Sequence, residues 1–502
     1  MSVEREAKLS APEEFGLPGL DGLGRGIVAS PPTSRQLDAI YYDTEELHLA
    51  RAGVTLRHRT GESGPGWTLK LPQGEDGPAL MRRELLFDNA PGEVPAAARD
   101  LVRVNLRARL LVPVVRLRTD RTAVELRDAS GQAVAEVVDD AVKVYDGERL
   151  VRRFREIEVE VRTEDRQGAK VLRRTVDRLV DAGCRADSPV PKAIRALGPR
   201  AQAAPEVAVP DIGADATMGL IVVHAFARSA AQIVRHDPGV RLGDDPEDVH
   251  QLRVGARHLR SDLHTFAALL APDWVSGLRA ELAWLGVEVG VVRDADVLAE
   301  RLLCQVAMLP EQDSAPAAAL LQHLADQRAM GRAAMLESLR SPRYDALVDA
   351  LVQAANRPPF SDDRADRPAC RLVVGVVRRS WRRLARAVDA LADDPPDDAL
   401  HHVRILAKRC RYAAEAAAPA AGQRATRFAA AVADVQTVLG DHQDAIVAES
   451  WLRAAASTAS DTGIAAGELV AVQRHERARL RKVWPATWET ASAGKLRTWL
   501  RD

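Results

Sequence analysis

Cysteine, aromatic side chains, long apolar runs and net charge are all scarce in this 502-residue chain. The four cysteines, Cys184, Cys304, Cys370 and Cys410, stand alone with no CxxC pair. That excludes a zinc ribbon or a thioredoxin-type site and reads as a reducing compartment. Aromatics make up 4% of residues, which disfavours an all-β chain. No apolar run approaches the ~18 residues of a membrane span. The longest, such as Gly219–Ala227, falls well short and contains His224. The first residues carry Glu4 and Glu6 where a secretory signal would place basic and then apolar side chains. Lys plus Arg number 70 against 71 Asp plus Glu, so a globally basic nucleic-acid coat is excluded, although local basic stripes are not. The expectation is a soluble cytoplasmic protein with no membrane partner and no specific nucleic-acid partner.

What is present is ample core material. The chain is 46% hydrophobic and 28% charged, which suits two to four domains of ordinary size. Two textures meet near residue 200. Residues 1–197 hold short alternating runs, among them Val54–Arg59, Trp67–Leu71, Val112–Leu117 and Phe154–Arg162, separated by Gly- and Pro-rich pieces. Period-2 alternation bounded by turns is the strand signature, and many short strands suggest a barrel or sandwich. Helical patterns at 95–109 and 168–182 decorate it. Residues 198–214 are rich in Pro and Ala without periodicity and read as a linker. From 215 to 502 Ala, Leu, Val and Arg recur at helical spacing, with prolines expected at helix ends.

The second half repeats itself. His250, Arg253, Arg257 and Arg260 align with His401, Arg404, Lys408 and Arg411. Arg228 aligns with Arg379, Gly290 with Gly440, and Asp294 with Asp444. The repeat predicts two similar helical bundles, about 215–352 and 368–502. On a helix, His250, Arg253, Arg257, Arg260 and His264 form one basic stripe, and His401, Arg404, Lys408 and Arg411 a second, widened by Arg409 and His402. A solvated face is the ordinary explanation of one such stripe. Two matching stripes, each destabilising its own isolated helix, favour an anion. Asp294 and Asp444 read as partners that orient an arginine or cap a helix. Gly255 costs its helix roughly 1 kcal/mol relative to Ala.

The first half carries its charges by strand. Glu4, Glu6 and Lys8 share one face of a strand, as do Glu156, Glu158 and Glu160. Arg57 and Arg59 are two apart, Arg116 and Arg118 likewise, and Lys70 ends a WTLK run. An antiparallel sheet with one face in water would explain any one strand. It does not explain acid-only and base-only faces alternating between strands, since rows of carboxylates repel. Clustered carboxylates suit Mg²⁺ or Mn²⁺. Guanidinium and ammonium groups facing them suit phosphate.

Glu4-x-Glu6-x-Lys8 resembles the ExExK signature of CYTH domains, the triphosphate tunnel metalloenzymes. Tyr42-Asp43-Thr44, Leu49, Gly53 and Leu56-Arg57-x-Arg59 follow in the order of that family's YFDT…L…G…LRxR stretch. Trp67–Lys70 resembles its TLK strand, Glu156–Glu160 its ELELE strand, and Ser188 with Lys192 its late S…K element. The resemblance covers about 1–197 and implies an eight-stranded antiparallel β tunnel barrel. It further implies a catalytic set of Glu4, Glu6, Lys8, Glu158 and Glu160. Glu4, Glu6, Glu158 and Glu160 would hold the metal. Glu136 and Asp140 share strand parity and complete that set, with Asp139 competing. Phosphates would be held by Lys8, Arg57, Arg59, Lys70, Arg116, Arg118 and Lys192. Arg82 and Arg83 both precede Glu84 where the family has a basic position, and the choice between them stays open.

The paired HxxRxxx[RK]xxR helices, the VVRDADV and GDHQDAI segments and the repeat resemble the CHAD family over about 215–502. That resemblance implies an all-α domain of two antiparallel four-helix bundles whose basic faces line a pore for inorganic polyphosphate. The binding residues would be Arg228, His250, Arg253, Arg257, Arg260, Arg379, His401, Arg404, Lys408, Arg409 and Arg411. Few aromatics accompany them, which argues against base stacking. The expected whole is a multi-domain α+β chain. Its tunnel would hydrolyse inorganic triphosphate or short polyphosphate with Mg²⁺ or Mn²⁺, and its helical domain would bind polyphosphate; association with polyphosphate granules is conceivable through that binding, but no residue signals it. The alternatives are a tunnel enzyme for an organic triphosphate, of thiamine triphosphatase or class IV adenylate cyclase type, and a non-catalytic polyphosphate scaffold.

Overall fold

The computed structural model describes residues 3–501 apart from 25, 77–78, 164, 187–189, 214 and 459–461, without the side chains of 3–5, 73–76, 79–81 and 458. It divides into two compact units, Met1–Glu206 and Val207–Asp502.

The first unit contains β1 (Val3–Ala11), β2 (Val28–Ala29), β3 (Thr33–Asp43), β4 (Thr55–Thr60), β5 (Trp67–Asp76), β6 (Ala79–Phe87), β7 (Val112–Arg127), β8 (Ala133–Asp146) and β9 (Arg149–Val161). They pair antiparallel in the order β7-β3-β4-β5-β6-β1-β9-β8, and β8 returns to β7, so eight strands close on themselves. The two-residue β2 adds to the far end of β7. Closure leaves no unpaired sheet edge along the circuit. Side-chain parity then sorts each strand into an outer and an inner face. Outward-pointing Ala7, Leu9, Val137, Ile157 and Val159 pack with Val171, Leu172 and Leu179 of α4 (Arg166–Asp181), the fourth helix after the short α1 (His48–Arg51), α2 (Ala96–Leu101) and α3 (Arg103–Leu106). The Asp165 carboxylate caps α4 by accepting from Gly168 N at 2.8 Å.

Inside, one end of the barrel is filled by Ala39, Tyr41, Val115, Leu117, Val142, Val144 and Phe154, together with Ala193 of α5 (Lys192–Leu197). The division between the units falls inside the segment read as a linker, but the first part of that segment is packed on the first unit. Pro199–Gln202 forms a 3₁₀ turn, and Ala201 is buried with Leu47, Ala50 and Ile194. Glu206 accepts from Arg107 Nη2 at 2.7 and 2.8 Å and lies 3.1 Å from His48 Nε2. A few apolar contacts and one ion-pair cluster hold this stretch to the first unit. They are too short to register as periodicity.

The second unit runs α6 (Met218–Leu242), α7 (Pro246–Thr265), α8 (Pro272–Val306), α9 (Ser314–Leu339) and α10 (Pro342–Asn356). It then runs α11 (Ala369–Asp389), α12 (Asp397–Ala421), α13 (Gln423–Thr458), α14 (Gly463–Ala491) and α15 (Gly494–Arg497). Consecutive helices pack within α6–α9 and within α11–α14, and α7 packs on α12. The third helix of each series is the longest, at 35 and 36 residues. Gly255 sits where a Cβ would come 2.9 Å from Ser229 O of α6, so the glycine permits close approach of two helices. Pro246, Pro272 and Pro342 occupy first turns. Against expectation, Pro238, Pro419 and Pro485 lie inside α6, α12 and α14. Burial of flanking residues such as Val240, Ala417 and Trp484 holds those turns despite the lost hydrogen bond.

Candidate active site and anion-binding face

The open part of the barrel interior is a cavity of about 230 Å³. Its charges are largely segregated, with Glu62 and Glu84 the acidic exceptions on the basic side, paired with Arg59 and Lys70. Three adjacent strands supply Glu6 and Lys8 (β1), Glu158 and Glu160 (β9) and Glu136 (β8). The rest of the circumference supplies Arg35 (β3), Arg57 and Arg59 (β4), Lys70 (β5), Arg82 (β6) and Arg121 (β7), while Lys192 enters from the first turn of α5. Acidic strands therefore neighbour one another. They do not alternate with basic ones as expected, because the circuit brings the N-terminal strand beside the late hairpin.

Cations thread the acidic wall. Lys8 donates to Glu158 and lies 3.0 Å from Glu6. Lys192 lies 2.8 Å from Glu158 and pairs with Asp140. Arg121 donates to Asp140 at 2.8 and 2.6 Å and lies 3.5 Å from Glu158. Burial alone would raise the Glu158 carboxyl, but Lys192, Lys8 and Arg121 hold it well below the ordinary carboxylate range. Burial likewise opposes the charge on Lys8, and Glu158 and Glu6 outweigh it, so Lys8 stays cationic. Glu156, deeper in the barrel and 2% exposed, is pushed up to about 7 by burial against the pull of Lys192 and Lys8. Across the cavity, Arg57 makes no ion pair among the described residues. Its Nη1 donates to the Tyr41 hydroxyl at 3.4 Å, and its Nε and that of Arg59 are buried without a hydrogen-bond partner there. Arg59 pairs with Glu62, yet burial and the neighbouring Arg57 lower it to about 10. These are the conditions under which an anion is stabilised.

The structure brings Glu6, Lys8, Arg57, Arg59, Lys70, Glu136, Glu158, Glu160 and Lys192 to this cavity. It does not bring Arg116 and Arg118. Both have the outward parity on β7 and bind Asp38, Arg116 through two nitrogens at 2.7–3.2 Å. Arg121, of the opposite parity, reaches the interior instead, and its signal was that one-residue phase. Asp140 is inward but fully buried between Arg121 and Lys192, so it anchors two cations and does not line the cavity. Asp139 points outward to Arg155. Arg82 lines the cavity, and Arg83 has the other parity. Arg35, Arg162, Glu62, Glu84 and Tyr41 also line it and were not anticipated. The backbone of Glu4 pairs with Arg82; its side chain, like Ser188, lies outside the described residues. Asp43 of the YDT run acts locally: its carboxylate accepts from the backbone N–H groups of Thr44, Leu49 and Ala50 at 2.7–2.9 Å and fixes α1.

In the helical unit the two stripes face each other. Lys408 on α12 is lowered to about 8 by burial first, then by Arg257, Arg404, Arg253 and Arg260. Burial and then Arg293 lower His250. Burial and then Arg279, Arg383 and Arg260 lower Arg409. Arg279 and Arg293 of α8 and Arg383 of α11 thus join the basic face from helices that carry no stripe of their own. Arg411 departs from the repeat, because Glu415 accepts from it at 2.7 Å. Arg228 is exposed beside His258 and Asp262, Arg379 is exposed, and His401 Nδ1 lies 2.9 Å from Gln443 Oε1. Asp294 accepts from Arg253, whose guanidinium crosses Gly290, where a Cβ would lie 3.6 Å away. Gly440 gives Arg404 the same seat, also at 3.6 Å.

Residues 1–186 match the CYTH domain family and residues 224–453 the CHAD domain family. An uncharacterized protein of Mycobacterium tuberculosis, found in two strains, is 33% identical over 485 residues, spanning 92% of this chain and 90% of its own length. The chain is a CYTH–CHAD protein. PptA from Streptomyces chartreusis is 28% identical and covers 54% of this chain and 99% of its own, with a TM-score of 0.46. The CHAD domain from the plant Ricinus communis is 25% identical and covers 59% and 95%, with a TM-score of 0.45. CYTH family members are triphosphatases or cyclases and generally depend on Mg²⁺, and CHAD domains are associated with polyphosphate. No helix among the described residues is long and apolar enough to cross a membrane.

The donor chemistry of this CYTH unit fits a hard divalent cation. Glu6, Glu160 and Glu136 stand directly opposite one another across β1, β9 and β8. Such a row repels itself and is stabilised by positive charge. In the arrangement described Arg162 supplies it, donating to Glu160 at 2.8 Å and Glu136 at 2.6 Å. No three carboxylate, His or Cys side chains among the described residues converge as a metal site.

Proposed function

We propose that this CYTH–CHAD protein hydrolyses inorganic triphosphate, or the terminal units of short polyphosphate, in its N-terminal barrel and binds inorganic polyphosphate on its helical unit. The observation that carries the reading is the cavity itself, with Arg57 buried and without an ion pair among the described residues opposite a carboxylate wall. Lys8, Arg57, Arg59, Lys70, Arg82, Arg121 and Lys192 would hold non-bridging phosphate oxygens. Asp140 would hold Arg121 and Lys192 in place. Glu6, Glu136, Glu158 and Glu160, with Glu4, would hold Mg²⁺ or Mn²⁺, which supplies charge neutralisation at the reacting phosphorus. Water adds to the terminal phosphorus, the P–O–P bond breaks and the shortened phosphate chain leaves. The facing stripes of α7 and α12 suit a linear polyanion, whose binding weakens as salt rises. A second site on the same chain raises the local substrate concentration without new chemistry.

Phosphate release by the full-length protein from tripolyphosphate, thiamine triphosphate and ATP, each with Mg²⁺ and with EDTA, tests the substrate class. Fastest turnover of tripolyphosphate is expected. A clear preference for either organic triphosphate would overturn the inorganic assignment.

A further inference from the structure

Away from the facing stripes, residues 494–501 fold against α11 and border an open cleft of about 380 Å³, with Arg382 and Arg501 at its exposed rim. Its lining is Arg378, Arg382, Arg497, Arg501, Trp381 and Leu500. Four guanidinium groups converge here, and none makes an ion pair among the described residues. Arg378 Nε is buried with no hydrogen-bond partner there, an orphaned donor of the kind native proteins rarely leave. Arg497 is pre-positioned: its Nε donates to Ser492 O at 2.9 Å, and its guanidinium lies 5.0 Å from the Trp381 ring centroid. Arg378 and Arg382 are one helical turn apart and so share a face of α11. Arg383 is turned from that face toward Arg409 and the basic stripes, which separates the two basic surfaces of one helix.

We propose that this cleft is a second phosphate-binding site on the helical unit, distinct from the stripes. Convergent, under-neutralised arginines select a small, multiply charged oxyanion with several acceptor oxygens. Trp381 is buried and stacked on Trp488 at 5.2 Å. With Arg497 over its ring it offers no free face for a nucleobase, so the ligand is inorganic phosphate in oligomeric form. The volume is roughly a dozen times the ~30 Å³ share of a liquid water, room for more than one phosphate group. The choice of phosphate rests on the reading of the helical unit as a polyphosphate binder. The ligand reaches the cleft either as a free oligophosphate or as one end of a longer chain.

Arginine modification by phenylglyoxal, followed by peptide mass spectrometry on the full-length protein, reads each guanidinium separately. Tripolyphosphate, long-chain polyphosphate and sulfate are compared at equal ionic strength. Modification of Arg378 and Arg382 is expected to slow roughly tenfold with tripolyphosphate at about ten times its dissociation constant, since protection scales with occupancy. The same protection is expected in a variant whose stripes are weakened by Arg257→Gln, Arg404→Gln and Lys408→Gln. Protection by the long chain alone, surviving in that variant, also supports the site and assigns it to a chain end. Unchanged rates at Arg378 and Arg382 while Arg257 and Arg404 are protected would overturn this site and leave the stripe reading intact. Protection lost in the stripe variant, or matched by sulfate, would overturn it as well. Absence of protection at every arginine of the helical unit would overturn both readings together.

Discussion

Arg116 and Arg121 lie on one strand yet face opposite sides of it, and that phase separates a surface residue from a tunnel residue. The inward Arg121 touches Asp140 and comes within 3.5 Å of Glu158. Arg121→Gln is expected to lower kcat/KM for tripolyphosphate on the order of 10²-fold, as loss of one electrostatic stabiliser does elsewhere. Arg116→Gln is expected to leave it within a few-fold; equal losses in steady-state assays would contradict the placement. Glu156 offers a test in stability. Its folded pKa, about 7, lies above the ordinary 4.5, so its contribution is fully present below about 4.5 and is lost as pH rises through 7. Glu156→Gln keeps a neutral group at every pH. Thermal and denaturant unfolding should show the variant gaining on the parent by up to a few kcal/mol at pH 8, with the gain fading toward pH 4.5. Lys408 carries the opposite case. Burial and four arginines depress it to about 8, and a bound polyanion favours its charged form. Polyphosphate binding near pH 8 to 9 should therefore take up protons, seen by calorimetry in buffers of different ionisation enthalpy, and Lys408→Arg should abolish the uptake.

At the scale of elements, the four-residue α1 depends on Asp43, which satisfies three backbone donors at once. Asp43→Ala should cost on the order of 1–3 kcal/mol of unfolding free energy in urea titrations; an unchanged midpoint would contradict that role. The strands were legible wherever alternation was clean, as in β9, where Ile157 and Val159 pack outward and Glu158 and Glu160 line the tunnel. Parity placed the carboxylates on shared faces, and the motif resemblance singled out Glu158 and Glu160 among them. Arg121 was not singled out, because β7 carries arginines on both faces, and only its register with β3 and β8 tells them apart. The plugged end of the barrel was illegible for a different reason. Its core joins four β strands and α5, elements that one-dimensional periodicity cannot bring together. Lys192 was reached through motif resemblance, and its pairing with Asp140 and Glu158 is a tertiary fact. The helical repeat was plain in the stripes. The recruitment of Arg279, Arg293 and Arg383 was not, since those residues lie on other helices and meet the stripes only through packing.

For the whole molecule, a barrel with a largely segregated charge lining and a helical unit with facing basic stripes share one chain of near-zero net charge. The surplus positive charge is local, so the account predicts two phosphate-directed activities and no general affinity for polyanions. Its central claim is that the barrel turns over an inorganic triphosphate with a divalent cation held by the carboxylate wall. The most direct measurement is phosphate release from tripolyphosphate by the full-length protein in Mg²⁺, in EDTA, and beside the Glu6→Gln variant. The account predicts turnover that EDTA abolishes and that falls on the order of 10²-fold or more in the variant. Turnover that survives both EDTA and the Glu6→Gln change, or no turnover by the intact protein in Mg²⁺, would contradict it.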